Sequence, residues 1–555
     1  MSSIAQDETS TARQRPVWRT VLAWTFTVAS FIVIWFALVG PDNLANLNVG
    51  AFLRIPIEGL VLLTVLVLLP RRARLITTSI LGVLLGMLTV IKIIDMGFYE
   101  FLNRPFDTGT DWSYFQSAQA LLGVSIGQGK AAAFYAGAIA LAIAVLLFVP
   151  LAALRLTSVA ARHRNTTLRT SAAFGVVWLL SLAFGVHLFG STPIASAGVA
   201  DLAYRQVAQV NAGLEDNKQL KKAAADDPYR TTSANDLLTG LRGKDVIFTF
   251  VESYGQVAVQ GSSFSPQVDQ VLRSGDTALQ QSGFSAESAW LTSPTFGGIS
   301  WLAHSTLQSG LWINNQQRYN DLVDNTDRTT LSDVFNRAGW RTVADDPSNE
   351  KPWPEGKTFY HYDQIYDANN VGYKGPNFSY ASMPDQYILS TFEKLELAKP
   401  HAPVMAEIDL VSSHTPWAPL PKLVPWTQVG DGSIFQGMPQ QGQTPAKVWT
   451  KASQVQAAYG QSIQYTLSTL ISFVQTYPDP NLVIVVLGDH QPATIVTGQK
   501  ASHNVPISII AHDPSVLSSI SSWDWQPGLL PSPTAPVWQM SAFRDRFLSA
   551  YGTQP

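Results

Sequence analysis

Five apolar stretches fill most of the first 190 residues, at about 17–39, 52–69, 75–96, 131–154 and 171–188. Each is near the roughly 20 residues that carry a helix across a bilayer. The first is too long for a cleavable signal and lacks a small-residue cleavage site. Five such stretches in series are rare in soluble proteins, so the expected start is a five-helix transmembrane domain over 17–190, behind a disordered cytoplasmic tail at 1–16.

Loop charges set the expected orientation. Arg13, Arg15 and Arg19 precede the first stretch, Arg71, Arg72 and Arg74 divide the second from the third, and Arg155, Arg162, Arg164 and Arg169 divide the fourth from the fifth. The alternate loops carry Asp42, Glu100, Asp107 and Asp111 instead. The positive-inside rule places the N-terminus in the cytoplasm, and an odd number of spans then places everything after residue 190 outside. Two helically spaced charge pairs, Arg54 with Glu58 and Lys92 with Asp95, lie near the outer span ends. They read either as satisfied ion pairs or as a polar pocket for a lipid headgroup.

The rest of the chain has the mixed composition of a globular domain. A net charge of −3 gives no case for a nucleic-acid partner, and the absence of cysteine excludes disulfides and thiolate metal sites. Residues 191–242 read as a juxtamembrane helix and linker. From residue 243 to 555, strand-like runs at 246–251, 341–344, 404–410, 482–487 and 505–511 alternate with helix-like runs at 266–280, 331–338, 386–397 and 457–476. That alternation predicts an α/β fold with a largely parallel central sheet. Residues 424–448, rich in Gly, Gln and Pro, read as a surface insertion.

Two of the runs end in chemistry. The run 246–251 stops at Glu252, and 482–487 delivers Gly488, Asp489 and His490. Ligands in open α/β sheets bind beyond the carboxyl ends of strands, so Glu252, Asp489 and His490 are plausible ligands of one divalent ion. Between the strands lies Thr295-Phe-Gly-Gly-Ile-Ser300, with a helix-like stretch from Ser300. A hydroxyl there faces the positive helix end and suits a nucleophile, although serine is also a common N-cap. His414 follows the run 404–410, His503 precedes the last strand, and the aromatic loop from Trp353 to Tyr380 could wall a cleft.

The ordered set of strand-Glu252, Gly297-Gly298-x-Ser300, Ser412-Ser-His414-x-Pro416 and Gly488-Asp489-His490 resembles the sulfatase-like branch of the alkaline phosphatase superfamily. With five spans ahead of an outer domain, it is most similar to the lipoteichoic acid synthases, which are phosphoglycerol transferases. The resemblance implies an extracytoplasmic catalytic domain and one divalent metal held by Glu252, Ser300, Asp489 and His490. Mn2+ suits that oxygen-rich set with one imidazole, with Zn2+ and Mg2+ as alternatives. It further implies Ser300 as nucleophile and His414 at the phosphate; from the residues alone Thr295 is a rival nucleophile, and His503 and Trp353 are candidate substrate contacts. Ser300 stands where the family has threonine. It lacks the following x-Pro-x-Arg that sulfatases need for formylglycine, and Ser253 follows Glu252 where sulfatases pair two acids.

The implied activity is transfer of a phosphoglycerol-type group from a membrane lipid phosphodiester, such as phosphatidylglycerol, to an envelope glycan or polymer through a phosphoserine. The alternatives are a phosphoethanolamine transferase, an extracytoplasmic phosphodiesterase or sulfatase-type hydrolase, and a non-catalytic scaffold. The expected location is the cell membrane, multi-pass.

Overall fold

The computed structural model describes residues 17–188, 192–324 and 328–553. The expected tail at 1–16 lies outside them. Two compact units emerge, one of residues up to 96 with 136–207, the other of 97–135 with everything from 208 onward.

The helices of the N-terminal part are α1 Val17–Val39, α2 Ile57–Leu68, α3 Arg71–Leu102, α4 Tyr114–Ile126, α5 Gln128–Arg162 and α6 Arg164–Ala183, followed by α7 Gly198–Ala225. Four of them, α1, α3, α5 and α6, are long and apolar enough to cross a membrane. The five-span expectation is corrected here. The stretch expected as a span at 52–69 yields only the 12-residue α2, about 18 Å of helix against a hydrocarbon core of about 30 Å. Pro56 at its N-cap and Pro70 just beyond its end bracket it, because proline lacks the N–H a continuing helix needs. Counting long helices therefore does not supply the odd parity used above.

The two helically spaced charge pairs find partners on other helices. Lys92 Nζ donates to the carbonyls of Ala37 (3.0 Å) and Leu38 (3.3 Å), and Arg54 donates to Val39 O at 2.6 Å. These are the last carbonyls of α1, which have no partner inside the helix. Glu58 Oε1 accepts the N–H groups of Val199 and Ala200, each at 2.9 Å, at the start of α7. Three of the four charges are thus occupied at helix ends, where their signs match the helix dipoles.

The second unit is built on a nine-stranded sheet. Its strands are β1 Asp245–Val251, β2 Ser285–Thr292, β3 Arg341–Asp346, β4 Gln364–Asp367, β5 Val404–Leu410, β6 Leu482–Gly488, β7 Asn504–Ala511, β8 Gln526–Pro527 and β9 Val537–Gln539. The order is β8-β2-β7-β6-β1-β5-β3-β4, with β9 also against β2. Strands β6, β1, β5, β3 and β4 run parallel, while β7 is antiparallel to both β6 and β2. The sheet is mixed, and mostly parallel as expected.

Every residue of β1 is buried. Val246, Phe248 and Phe250 join one apolar core while Ile247 and Val251 join the other. That alternation is the two-residue period of a strand covered on both faces. The helix Ala452–Thr476 covers the second face. The helix Ser300–Ser309 and the last helix, Phe543–Tyr551, cover the first. The end of α7 belongs to this domain, since Leu220 and Ala224 join the core on that first face. Arg544, fully buried, donates to both carboxylate oxygens of Asp227 at 2.7 and 2.9 Å. The linker and the final helix are thus fastened by an enclosed ion pair.

Close backbone approach fixes the tip of β6. A Cβ on Gly488 would lie 1.9 Å from the carbonyl oxygen of Tyr254. Gly488→Ala must push two strand ends apart, and overpacking of this kind costs about 1–3 kcal/mol or more. A fall in melting temperature on the order of 5 °C is expected by circular dichroism, and an unchanged melting curve would contradict the packing described.

Candidate active site

The C-terminal tips of β1 and β6 are neighbours because these strands pair in parallel, with Gly488 opposite Val251. Glu252 therefore leaves its strand beside Asp489 and His490. Ligand atoms of the three residues lie within 4.8 Å of one another, and all three residues are buried. After Glu252 the chain turns through Ser253 in a left-handed conformation, φ +59°. This aims the Ser253 N–H at Asp489 Oδ1 (2.7 Å), which also accepts the His490 N–H at 2.7 Å. Asp489 Oδ2 has no hydrogen-bond partner, and the residue is 1% exposed. An unpaired buried carboxylate oxygen is costly. His490 Nδ1 lies 2.8 Å from the Gln491 carbonyl, so Nδ1 carries the proton and Nε2 turns its lone pair inward, 3.4 Å from both Glu252 Oε1 and Asp489 Oδ2. A carbonyl behind a histidine is the usual way of orienting a metal ligand. Two carboxylates and an imidazole nitrogen turned toward them fit a divalent cation.

Ser300 joins this group. Its Oγ donates to Glu252 Oε2 at 2.9 Å and lies 3.3 Å from His490 Nε2. It is the first residue of the helix Ser300–Ser309, here named α8. The turn before it holds Gly297 at φ +73° and, unusually, the β-branched Ile299 at φ +69°. A branched residue in the left-handed region costs of order 1–3 kcal/mol and is found where function demands the geometry. The Gln491 carbonyl that orients His490 also accepts the Gly297 N–H at 2.8 Å, which ties the hydroxyl's turn to the histidine. Thr295 is buried, and its hydroxyl meets Ser293 Oγ at 3.5 Å.

The other expected residues are spread more widely. His414 Nδ1 is 2.5 Å from the Thr415 carbonyl, and its ring stacks on Tyr380 at 3.6 Å with planes 8° apart. His503 packs its ring on Phe296 at 5.3 Å, and its carbonyl accepts the Ser293 N–H. Trp353 packs against Tyr360 and Tyr362, with ring centres 5.2 and 6.1 Å away. Among the described residues, neither His503 nor Trp353 has a recorded contact with the Glu252, Asp489 and His490 side chains.

Sequence reasoning passed over His304, one turn beyond Ser300 on the same helical face. Its ring stacks on Phe250 at 3.8 Å, and Nδ1 lies 3.1 Å from Glu407 Oε1 and 3.5 Å from Asp409 Oδ1. The signal was present as Ser300 and His304 at i, i+4 and as Glu407-x-Asp409 on one strand face.

The electrostatics follow from burial and charge. Burial works against ionising Glu252, but His414 and His490 outweigh it and hold the carboxyl at about 2. Burial and the neighbouring Glu252 push Asp489 upward, and burial pushes His490 down, toward the neutral ligand form. At His304 burial opposes the charge, yet Asp409 and Glu407 raise the ring to about 10.

No family model matches the chain, and no curated protein does. Solved structures are similar at low identity. The lipoteichoic acid synthase LtaP of Listeria monocytogenes is 15% identical over 56% of this chain and 73% of its own, with a TM-score of 0.34. The lipooligosaccharide phosphoethanolamine transferase EptA of Neisseria meningitidis is 12% identical over 96% of this chain and 97% of its own, at 0.49. The phosphoglycerol transferase GacH of Streptococcus pyogenes is 13% identical over 60% and 90%, at 0.34. At such identities and scores the chemistry has to come from this chain's own residues.

A proton-linkage experiment tests the cation site. Burial and Glu252 hold the Asp489 carboxyl above its ordinary range, so protons compete with a divalent ion for it and affinity should rise with pH. Calorimetric titration with Mn2+ at several pH values should show binding that tightens as pH rises and is lost in Asp489→Asn. Binding absent in the wild type, or unchanged in Asp489→Asn, would count against the site.

Proposed function

We propose that this chain is a membrane-anchored transferase of the sulfatase-like kind. It moves a phosphoglycerol-type group from a lipid phosphodiester, such as phosphatidylglycerol, to a glycan or polymer of the cell envelope, with Ser300 as nucleophile and the catalytic domain extracytoplasmic. The observation that carries this reading is the Ser300 hydroxyl. It stands at a helix N-terminus, within hydrogen-bond distance of Glu252 and 3.3 Å from His490 Nε2.

Glu252, Ser300, Asp489 and His490 would hold a divalent ion, Mn2+ by the donor set and Zn2+ or Mg2+ otherwise, which would supply Lewis-acid stabilisation and lower the hydroxyl pKa. Glu252 accepts the Ser300 hydroxyl hydrogen at 2.9 Å and so orients it. The Ser300 oxygen attacks phosphorus, the bond from phosphorus to the diacylglycerol oxygen breaks, and diacylglycerol leaves with a proton. A phosphoserine diester remains. An acceptor hydroxyl then attacks the same phosphorus and restores the serine. The α8 N-terminus faces the phosphoryl oxygens with free N–H groups. His414, pinned by its Nδ1 bond and by Tyr380, offers Nε2 to the same charge.

A second reading, phosphoethanolamine transfer, is favoured by the carboxylates beside the site. Asp346, Glu407 and Asp409 lie around His304, carboxyl oxygens of the kind that accept hydrogen bonds from an ammonium headgroup.

Full-length protein with Mn2+ and phosphatidylglycerol labelled in the acyl chains should release labelled diacylglycerol. Ser300→Ala should lose this by about 1,000-fold or more, while Thr295→Ala keeps most of it. Turnover of phosphatidylethanolamine alone would select the second reading. Activity lost in Thr295→Ala but kept in Ser300→Ala would move the nucleophile. A wild-type protein that cleaves no phosphodiester or sulfate ester would leave a scaffold.

A further inference from the structure

The last turn of α3 ends against the nucleophile's turn. Residues 97–135 belong to the same compact unit as the sheet, although α3 begins at Arg71, among the long apolar helices. A helix leaves its last four carbonyls without internal partners. One of those at the end of α3 finds a partner beside the active site, and a second packs against the nucleophile's turn. The Glu100 carbonyl accepts the Thr494 hydroxyl at 2.6 Å, and Gln499 Nε2 donates to Glu100 Oε1 at 3.2 Å. The Phe101 carbonyl lies so close to Gly297 that a Cβ there would be 1.7 Å from its oxygen, and 3.5 Å from Ala493 Cα. Gly297 is three residues before Ser300, and Thr494 is four after His490. Tyr114 at the start of α4 meets Trp301, next to Ser300, edge-on at 6.5 Å.

This brace has its own internal structure. Phe106, fully buried, packs on Phe98, Trp112 and Phe115, with ring centres 5.0, 5.1 and 5.8 Å away. Arg104 forks onto both oxygens of buried Asp111 at 2.5 and 2.9 Å. A segment packed in this way holds its two carbonyls in fixed places.

We propose that the C-terminal turn of α3 is a positioning element of the active site. Acting through Gly297 and Thr494, the Glu100 and Phe101 carbonyls set where the Ser300 hydroxyl stands relative to His490. The inference rests on Ser300 being the nucleophile. Its consequence is that the chemical step depends on this turn even for a substrate that never touches lipid.

The test uses the full chain with two substrates, a labelled lipid phosphodiester and the water-soluble bis(p-nitrophenyl) phosphate. Gly297→Ala and Thr494→Val should each lower kcat on both by about 10- to 100-fold, the scale of a nucleophile misplaced by a fraction of an ångström or more. KM and Mn2+ affinity should stay put, and Thr494→Ser, which keeps the hydroxyl, should restore the rate. Labelling of Ser300 by a fluorophosphonate should slow in parallel. Folded Gly297→Ala and Thr494→Val proteins with wild-type kcat overturn the proposal, as does a loss confined to the lipid donor. Where a variant fails to fold, Gln499→Met removes only the side-chain contact to Glu100. Turnover slowed about threefold supports the proposal, and unchanged turnover overturns it. Ser300→Ala with full activity would sink the functional reading itself. Ser300→Ala dead beside an unimpaired Thr494→Val would sink only the role of the turn.

Discussion

Two carboxylates enclosed at the edge of one sheet are the constraint on which this domain turns. Glu252 and Asp489 arrive on parallel neighbouring strands, so the pairing of β1 with β6 brings them together before any side chain has a choice. Like charges in a poorly solvated place repel strongly, and the surroundings answer that repulsion locally. Backbone N–H groups of Ser253 and His490 take one Asp489 oxygen, the Ser253 and Ser300 hydroxyls take the two Glu252 oxygens, and the second Asp489 oxygen is left bare. The left-handed turn at Ser253 and the glycine at 488 exist to make those donors reachable.

The strand tips carry further carboxyl groups, with Asp409 and Asp346 at the ends of β5 and β3, both raised by burial. His304 is the counterweight, stacked on Phe250 and gripped by Glu407 and Asp409. Because it shares a helical face with Ser300, the buried charge pairing also sets the roll of α8 about its axis, and hence the direction of the serine hydroxyl. Polar satisfaction and the candidate chemistry are two views of the same contacts.

Much of this was legible in the residues. Continuous apolar runs ending in Glu252 and in Gly-Asp-His marked β1 and β6, because a strand buried on both faces has no polar alternation to confuse it. Strand β2 escaped notice since Ser285–Thr292 mixes serine, alanine and glutamate; its partners on both sides make it a strand, not its composition. The antiparallel course of β7 was equally hidden, because direction is a property of the connection. The 52–69 stretch looked like a span by composition, and two prolines shortened it. The contact of Glu100 and Phe101 with the loops at Gly297 and Thr494 joins positions about 200 and 400 residues apart, which no local pattern announces. The charges at Arg54, Glu58 and Lys92 were visible, but their partners are backbone groups of other helices.

The pairing of Arg544 with Asp227 carries a consequence for biosynthesis. Asp227 lies just ahead of the first strand, and Arg544 in the last helix, with Arg328 beside them at 3.7 Å from the same carboxylate. Until synthesis has reached Arg544, that acid lacks one of its two counter-ions and the core around Phe248 lacks Phe543 and Phe547. The globular part thus closes only after its first strand has waited for about 300 further residues. A product stopped before Arg544 would leave Asp227 and that face of the sheet uncovered, an easy mark for quality-control proteases.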